Sequence, residues 1–335
     1  MTATMRAMVL EHPGRASGHP LVAKDIARPE AAPGMLVARV RACGVCRTDL
    51  QLCEGDLEAH VLPIVPGHQI VGTVESVGAG VDAWHPGDRL GAAWLGGACG
   101  VCAACRAGRE NLCEKARFTG WDLNGGYATH VAVHADFALR LPDGFDDLAA
   151  APLLCGGVIG YRSFQRCRVE PGGKLGLYGF GASALITIQV ARHFGCRVFV
   201  ATRAERDRER ARQLGAEWVG GYDERPPEAL DAAITFAPSG DVVRSALRAL
   251  GRGGTVAINA IHLDRLPEMP YAELWWERSL VSVANFTRQD ARDFLRLAAD
   301  IPVRTAFETH PMEEANVALQ RLAEGRVDGA AVLLM

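Results

Sequence analysis

No apolar run in this chain reaches the roughly 18 residues that a membrane-spanning helix needs. The N-terminal stretch MTATMRAMVLEHPG lacks the apolar core of about 7–15 residues that marks a secretory signal, and no lipidation motif ends the chain. These absences lead to the expectation of a cytoplasmic protein without a membrane partner. An excess of charge is missing too. Lys and Arg number 36 and Asp and Glu 39, a net charge of −3. Nothing in that balance suits a polyanion, so no nucleic-acid partner is expected, and only a local basic patch stays open. Internal repeats and low-complexity segments are absent. Hydrophobic residues at 49%, charged residues at 22% and a mean hydropathy of +0.04 describe a chain that builds a core, which excludes disorder.

Cysteine and glycine are present in a telling way. Ten cysteines in 335 residues are too sparse for a disulfide scaffold and too clustered to be only core fillers. In a reducing compartment, clustered thiols point to metal or catalysis. Glycine, at 37, exceeds the usual share and implies tight turns and close backbone approaches. The length suggests two domains.

Two textures divide the chain. Up to about residue 150, short apolar runs are broken by Gly and Pro: Met5–Leu10, Leu21–Ile26, Met35–Ala42, Ile70–Val77 and Arg89–Trp94. Turn signals such as Pro33-Gly34 and Pro86-Gly87-Asp88 separate them, and an irregular, barrel-like β domain is expected. From about 156 the texture alternates. Lys174–Tyr178, Cys196–Thr202, Leu230–Phe236 and Gly254–Ala260 read as strands. Helical stretches to Phe194 and over Arg206–Leu214 and Val242–Leu250 lie between them. That is the βαβ period, so a doubly wound parallel sheet is expected. The tail, with helices over Asp290–Ala299 and Met312–Glu324 and a strand from Gly329, fits neither another repeat nor an independent domain. It is expected to rejoin the β domain.

Three constellations carry chemistry. Cys99, Cys102, Cys105 and Cys113 form C-x2-C-x2-C-x7-C, with Gly96, Gly97, Gly100 and Gly108 to let the backbone wrap. Four thiolates close a tetrahedron with no seat for water, a structural zinc site. An iron–sulfur cluster also takes four thiolates, but the wide last gap and the lack of Pro after the fourth favour zinc. The second constellation is dispersed: Cys46, His68 and Cys155 offer two thiolates and an imidazole, one ligand short of zinc's usual four. Spacing alone does not link them. By composition His68 is an ordinary hydrogen-bonded histidine, and Cys43 competes with Cys46. The third is Gly179-x-Gly181-x-x-Ala184, after a strand and at the start of a helix, as a dinucleotide loop requires. Free N–H groups at such a helix start hold a pyrophosphate. No acid follows at Ala201-Thr202-Arg203, where NAD-binding chains place one. Glu205 is nearest, but Thr202-x-x-Glu205 also reads as a capping box. Arg203 and Arg206 suit a 2′-phosphate, so NADP(H) is favoured over NAD(H), although the alternating charge over Arg203–Arg212 also reads as a solvated helix face. The expected cofactor contacts include Ala182, Ser183, Thr202, Arg203, Ala260 and Ile261.

Together these motifs resemble the zinc-dependent alcohol dehydrogenases of the medium-chain dehydrogenase/reductase superfamily. The markers are CGVCRTD at 43–49, PGHQIVG at 66–72, the cysteine knuckle, PLLCGGVIGY at 152–161 and GFGASA at 179–184. The resemblance implies a GroES-like catalytic domain over 1–155 and 289–335, and a Rossmann domain over 156–288. It implies two zinc ions per chain, the catalytic one held by Cys46, His68 and Cys155, with Cys43 spare. That ligand set is the established one of alcohol dehydrogenases. By the same resemblance Asp49 fixes the tautomer of His68, Thr48 bonds the substrate oxygen, and Arg47 contacts the cofactor pyrophosphate. Trp94 narrows the pocket and Trp121 is a further lining candidate. A core role suits Trp94 equally. The implied reaction is reversible hydride transfer between an alcohol, primary by the tight pocket, and the nicotinamide. The implied assembly is a homotetramer, a dimer being the other common form. Two residues depart from the family. Gln69 stands where a glutamate is frequent, and Gln51 stands where a relay histidine is common. Gln cannot take up a proton at neutral pH. His60 and His262 are alternatives that the sequence does not choose between. Three other readings compete: a zinc-free quinone or enone reductase of the same superfamily, a non-catalytic zinc-ribbon binding protein, and a structural role for an enzyme fold.

Overall fold

The computed structural model describes residues 3–301 and 303–335. The chain divides into two compact units. One comprises Met1–Cys155, Thr287–Ala299 and Arg304–Met335, the other Gly156–Phe286 and Asp300–Val303.

The first unit is built on a seven-stranded sheet. Phe307–Pro311, Ala330–Leu334, Met35–Val45, Gln69–Val77, Arg89–Ala92 and Leu139–Arg140 lie side by side, and His130–His134 also pairs with Met35–Val45. Thr4–Leu10 and Leu21–Ala27 form a separate antiparallel pair. The long strand Met35–Val45 slips register against Gln69–Val77 between Val37 and Ala38 and again between Val40 and Ala42. Such slips bend a strand and curl its sheet. Leu36, Val40, Ile70, Leu90, Tyr127 and Val131 fill the interior that results. The terminal strand Ala330–Leu334 runs antiparallel to Met35–Val45, with Leu333 opposite Cys43. The tail therefore shares a sheet with the cysteine-bearing strand.

The second unit holds six parallel strands in the order Trp218–Gly220, Arg197–Ala201, Lys174–Tyr178, Leu230–Thr235, Leu250–Ile258 and Ser279–Ser282. In chain order this is 3-2-1-4-5-6, the doubly wound arrangement, which reverses direction beside Lys174–Tyr178. Leu175 and Leu177 on one face and Gly176 and Tyr178 on the other are all buried, as expected of a strand covered on both faces. The helix Gly240–Ala249 turns Val242, Val243, Ala246 and Leu247 inward at the helical period. Among the described residues no helix is long and apolar enough to cross a membrane.

Some elements lie outside the sequence expectation. Arg47–Glu54 and Gly156–Cys167 are helices, and Trp218–Gly220 and Ser279–Ser282 are short outer strands. The strand expected from Gly254 begins at Leu250.

Candidate metal and cofactor sites

The dispersed trio converges. Cys46 is the N-cap of the helix Arg47–Glu54, His68 directly precedes the strand Gln69–Val77, and Cys155 follows the 3-10 turn Ala151–Leu154. Their donor atoms all lie within 4.8 Å of one another. His68 Nε2 stands 3.3 Å from Cys46 Sγ and 3.4 Å from Cys155 Sγ. On the other side of the ring, Nδ1 lies 3.1 Å from Asp49 Oδ1. The second Asp49 oxygen accepts the Cys46 backbone N–H at 2.9 Å. One carboxylate thus caps its helix and orients the histidine. His68 and Asp49 are almost wholly buried.

The three groups divide the charge unequally among themselves. A hydrogen bond from Cys155 and the charge of His68 pull the Cys46 thiol down to about 6, against the effect of burial. Cys155, as donor in that bond and buried, is pushed well up. Burial opposes a charge on His68, but Cys46 and Asp49 outweigh it and raise the ring to about 10. Two thiol donors and one imidazole, its far nitrogen held by a carboxylate, are the chemistry of a zinc centre with a position left for a fourth ligand.

Gly67 sets the approach to His68. Its φ is +97°, and a Cβ there would lie 2.4 Å from the Tyr127 ring and 2.9 Å from Cys43 Sγ. Only glycine leaves the chain free to turn in this space. Cys43 is not in the cluster. It is fully buried, its thiol 3.6 Å from the Gly44 carbonyl.

An aromatic wall starts at the histidine. Trp94 meets His68 edge-on, with ring centroids 4.8 Å apart. Trp94, Phe118 and Trp121 stack mutually at 5.3–5.6 Å.

The knuckle cysteines also gather, with all four sulfurs within 4.8 Å of one another. Backbone N–H groups aim at the sulfurs: Cys102 at Cys99 and Cys105 at Cys102, each 3.4 Å, and Lys115 at Cys113, 3.4 Å. The N–H groups of Val101 and Cys102 pull Cys99 down to about 6, while burial pushes Cys105 up to about 12. All ten cysteines are free thiols. A closed four-thiolate set fits structural zinc.

In the second unit, Gly179 leaves the strand Lys174–Tyr178 at φ +94°, and Gly181 is the N-cap of the helix Ala182–His193. No side chain caps that helix, so its first N–H groups are available to an anion. Ala184 is fully buried.

Residues 32–143 match the alcohol dehydrogenase GroES-like domain, and residues 184–300 match the zinc-binding dehydrogenase family. The probable alcohol dehydrogenase AdhA of Mycobacterium tuberculosis is 49% identical over 340 residues, spanning 100% of this chain and 98% of that protein. The chain belongs to the zinc-dependent alcohol dehydrogenase family of the medium-chain dehydrogenase/reductase superfamily. It is an oxidoreductase with a GroES-like fold and a Rossmann-type parallel sheet. Among solved structures, a cinnamyl alcohol dehydrogenase from Sorghum bicolor superposes with a TM-score of 0.89 at 26% identity, covering 99% of this chain and 97% of that one. An acetophenone reductase from Geotrichum candidum, in complex with NAD, gives 0.89 at 25% identity, covering 100% and 98%.

The remaining residues expected from the family resemblance are placed as follows. Arg47 and half-buried Thr48 open the helix that Cys46 caps, with Arg47 exposed. Ala182 and Ser183 are half-buried in the first turn behind the glycine loop. Thr202 is buried, and its carbonyl accepts Arg208 Nε at 2.9 Å; Arg203 is exposed. Ala260 and exposed Ile261 follow the strand Leu250–Ile258. The capping box at Thr202 is a misreading. The helix Glu205–Gln213 takes Ala204 as N-cap with no side-chain bond. Glu205 instead pairs with Arg212 at 2.9 Å, because charges seven residues apart share a helix face. Sequence reasoning missed Phe118, which no spacing ties to a metal ligand. It also missed that His60 stacks on Trp121.

Proposed function

We propose that the chain interconverts a primary alcohol and its aldehyde with NADP(H), using zinc held by Cys46, His68 and Cys155. The convergence of those three donors, with Asp49 behind His68, carries the reading. When bound, zinc supplies a Lewis acid for the alcohol oxygen and the nicotinamide supplies the hydride acceptor. Cys99, Cys102, Cys105 and Cys113 hold the second, structural zinc. The catalytic domain is 1–155 with 289–335, and the dinucleotide domain is 156–288. Thr48 accepts the hydroxyl proton and passes it outward. With Gln51 in place of a histidine, the proton leaves to water. Trp94, edge-on to His68, narrows the space beside the ligand and favours primary alcohols. Trp121 extends that lining. Arg47 and the N–H groups around Gly179, Gly181 and Ala182 to Ala184 hold the pyrophosphate. The enzyme works in the cytoplasm as a homotetramer.

Asp49→Asn tests the positioning of His68. An amide bonds the imidazole less strongly and turns a donor toward one of its partners. Metal affinity and turnover should each fall by about 10–100-fold, the usual effect of losing such a partner. Zinc titration against a chromophoric chelator measures the first, steady-state alcohol oxidation the second. Unchanged values would separate Asp49 from the centre.

The cofactor preference rests on Arg203. Glu205, the acid nearest in sequence to the end of the strand Arg197–Ala201, is engaged by Arg212 and Arg208, which hold its carboxyl below the usual range. Arg203, exposed and hydrogen-bonded to Tyr222, is the cation assigned to a 2′-phosphate. Arg203→Ala should raise KM for NADPH about tenfold, the lower end for a hydrogen bond to a charged group, and leave KM for NADH within twofold. A wild type that prefers NADH would overturn the assignment.

A further inference from the structure

We infer that His60 is a positioning residue that sets the substrate selectivity of the site by fixing Trp121. The inference rests on the reading that substrate binds beside Cys46, His68 and Cys155. It goes beyond that reading by naming what holds the aromatic wall beside His68 in place.

The side chain of His60 is 48% exposed, yet it is tied at two points. Its ring stacks on Trp121 at a centroid distance of 3.9 Å and an angle of 24°. Its Nδ1 lies 2.7 Å from Asp122 Oδ1. The other Asp122 oxygen accepts the Phe118 N–H at 2.7 Å, so the same carboxylate closes the turn that carries both Phe118 and Trp121. The indole is held a third way, as Trp121 Nε1 donates to the Glu58 carbonyl at 2.8 Å. Segment 58–60 and turn 118–122 therefore clamp one indole between them. The clamp is connected to the metal-ligand cluster along two routes. Trp121 stacks on Trp94 at 5.6 Å, and Trp94 abuts His68. The Leu57 N–H bonds the Gln51 carbonyl at 3.0 Å, at the end of the helix that Cys46 caps.

A surface histidine with a free ring would do none of this. Here the ring is one face of a stack whose far end is a metal-ligand candidate. Without it, one support of the indole is gone and the aromatic wall beside His68 is freer to move. A looser wall admits larger alcohols and holds small ones less well. Discrimination between substrates is a difference of such contacts, so the selectivity ratio is the quantity that moves.

The test uses the zinc-loaded full chain with a small primary alcohol and a bulky secondary one. His60→Ala should lower the ratio of kcat/KM, small primary over bulky secondary, by about 3- to 10-fold, the range that one aromatic stacking contact spans. The change should sit mainly in KM, because no group at the reacting atoms is altered. His60→Phe keeps a ring on the indole and should hold the ratio within twofold of wild type. Steady-state tryptophan emission should rise in His60→Ala, where the stacked quencher is lost. Two results overturn the inference: an unchanged ratio in His60→Ala, whatever its emission, or an equal fall in kcat for both alcohols, which marks a proton-transfer role instead. Normal wild-type turnover with an unchanged ratio defeats this inference alone. No turnover of any alcohol by the wild type defeats the functional reading and this inference with it.

Discussion

Cys155→Ala is expected to leave one zinc ion per chain instead of two and to lower alcohol oxidation by at least ~10³-fold, since a Lewis acid at a developing alkoxide supplies several kcal/mol. The sulfur removed lies 3.4 Å from His68 Nε2 and is the hydrogen-bond partner that most depresses the Cys46 thiol. Its loss leaves two donors, too few to hold the ion in a set geometry. Metal content by mass spectrometry of the purified chain and initial rates on a primary alcohol measure both effects. Cys43→Ala is the control, because Cys43 lies three residues from Cys46 but in the core, outside the cluster. It should keep both ions. If Cys155→Ala retains two zinc ions and wild-type rates, the cluster is not the reaction centre.

The contrast between those two cysteines shows how far the sequence reaches. The knuckle was legible because its four thiols lie within fifteen residues, so spacing alone brings them together. The glycine loop was legible because a buried strand and a helical period flank it. Both are local. Residues 46, 68 and 155 meet only after the curled sheet forms, and no local period encodes that meeting. The family resemblance pointed to them where spacing did not. Within the site, the helix Arg47–Glu54 stayed hidden for a physical reason. It has only eight residues, and its N-cap is a cysteine. The box of Cys46 and Asp49 therefore lacks the usual Ser or Thr. At Thr202 the opposite error occurred. The right letters stood at the right spacing, but the helix started two residues later. Gly156–Cys167 opens on two glycines, which depress helix propensity, and packing has to supply the stability. His60 and Trp121 are 61 positions apart, and their stack has no sequence signal at all.

Gly67→Ala is the second variant with a large expected effect, and it separates two physical causes. A Cβ at Gly67 would meet Tyr127 Cδ1 at 2.4 Å and Cε1 at 2.7 Å. Tyr127 cannot swing aside, since it is fully buried and its backbone bonds Pro66 and Met8. Retreat of the Gly67 backbone is blocked as well, because Gly125 packs so closely that a Cβ on it would lie 2.1 Å from the Gly67 carbonyl. Left-handed backbone in an L-residue costs about 1–2 kcal/mol and an overpacked core about 1–3 more, so a loss of roughly 3 kcal/mol is expected. Gly87 is the control. Its φ is also +97°, but nothing lies within 4 Å of its Cβ position. Gly87→Ala should show the backbone cost alone, about 1–2 kcal/mol. Urea unfolding of both variants gives the difference, which is the steric contribution. Because His68 follows directly, Gly67→Ala should also lose the zinc of the Cys46 cluster while the knuckle keeps its own. Equal destabilisation by the two substitutions would mean that the Tyr127 ring yields, and that His68 is not held by the fit of its neighbours.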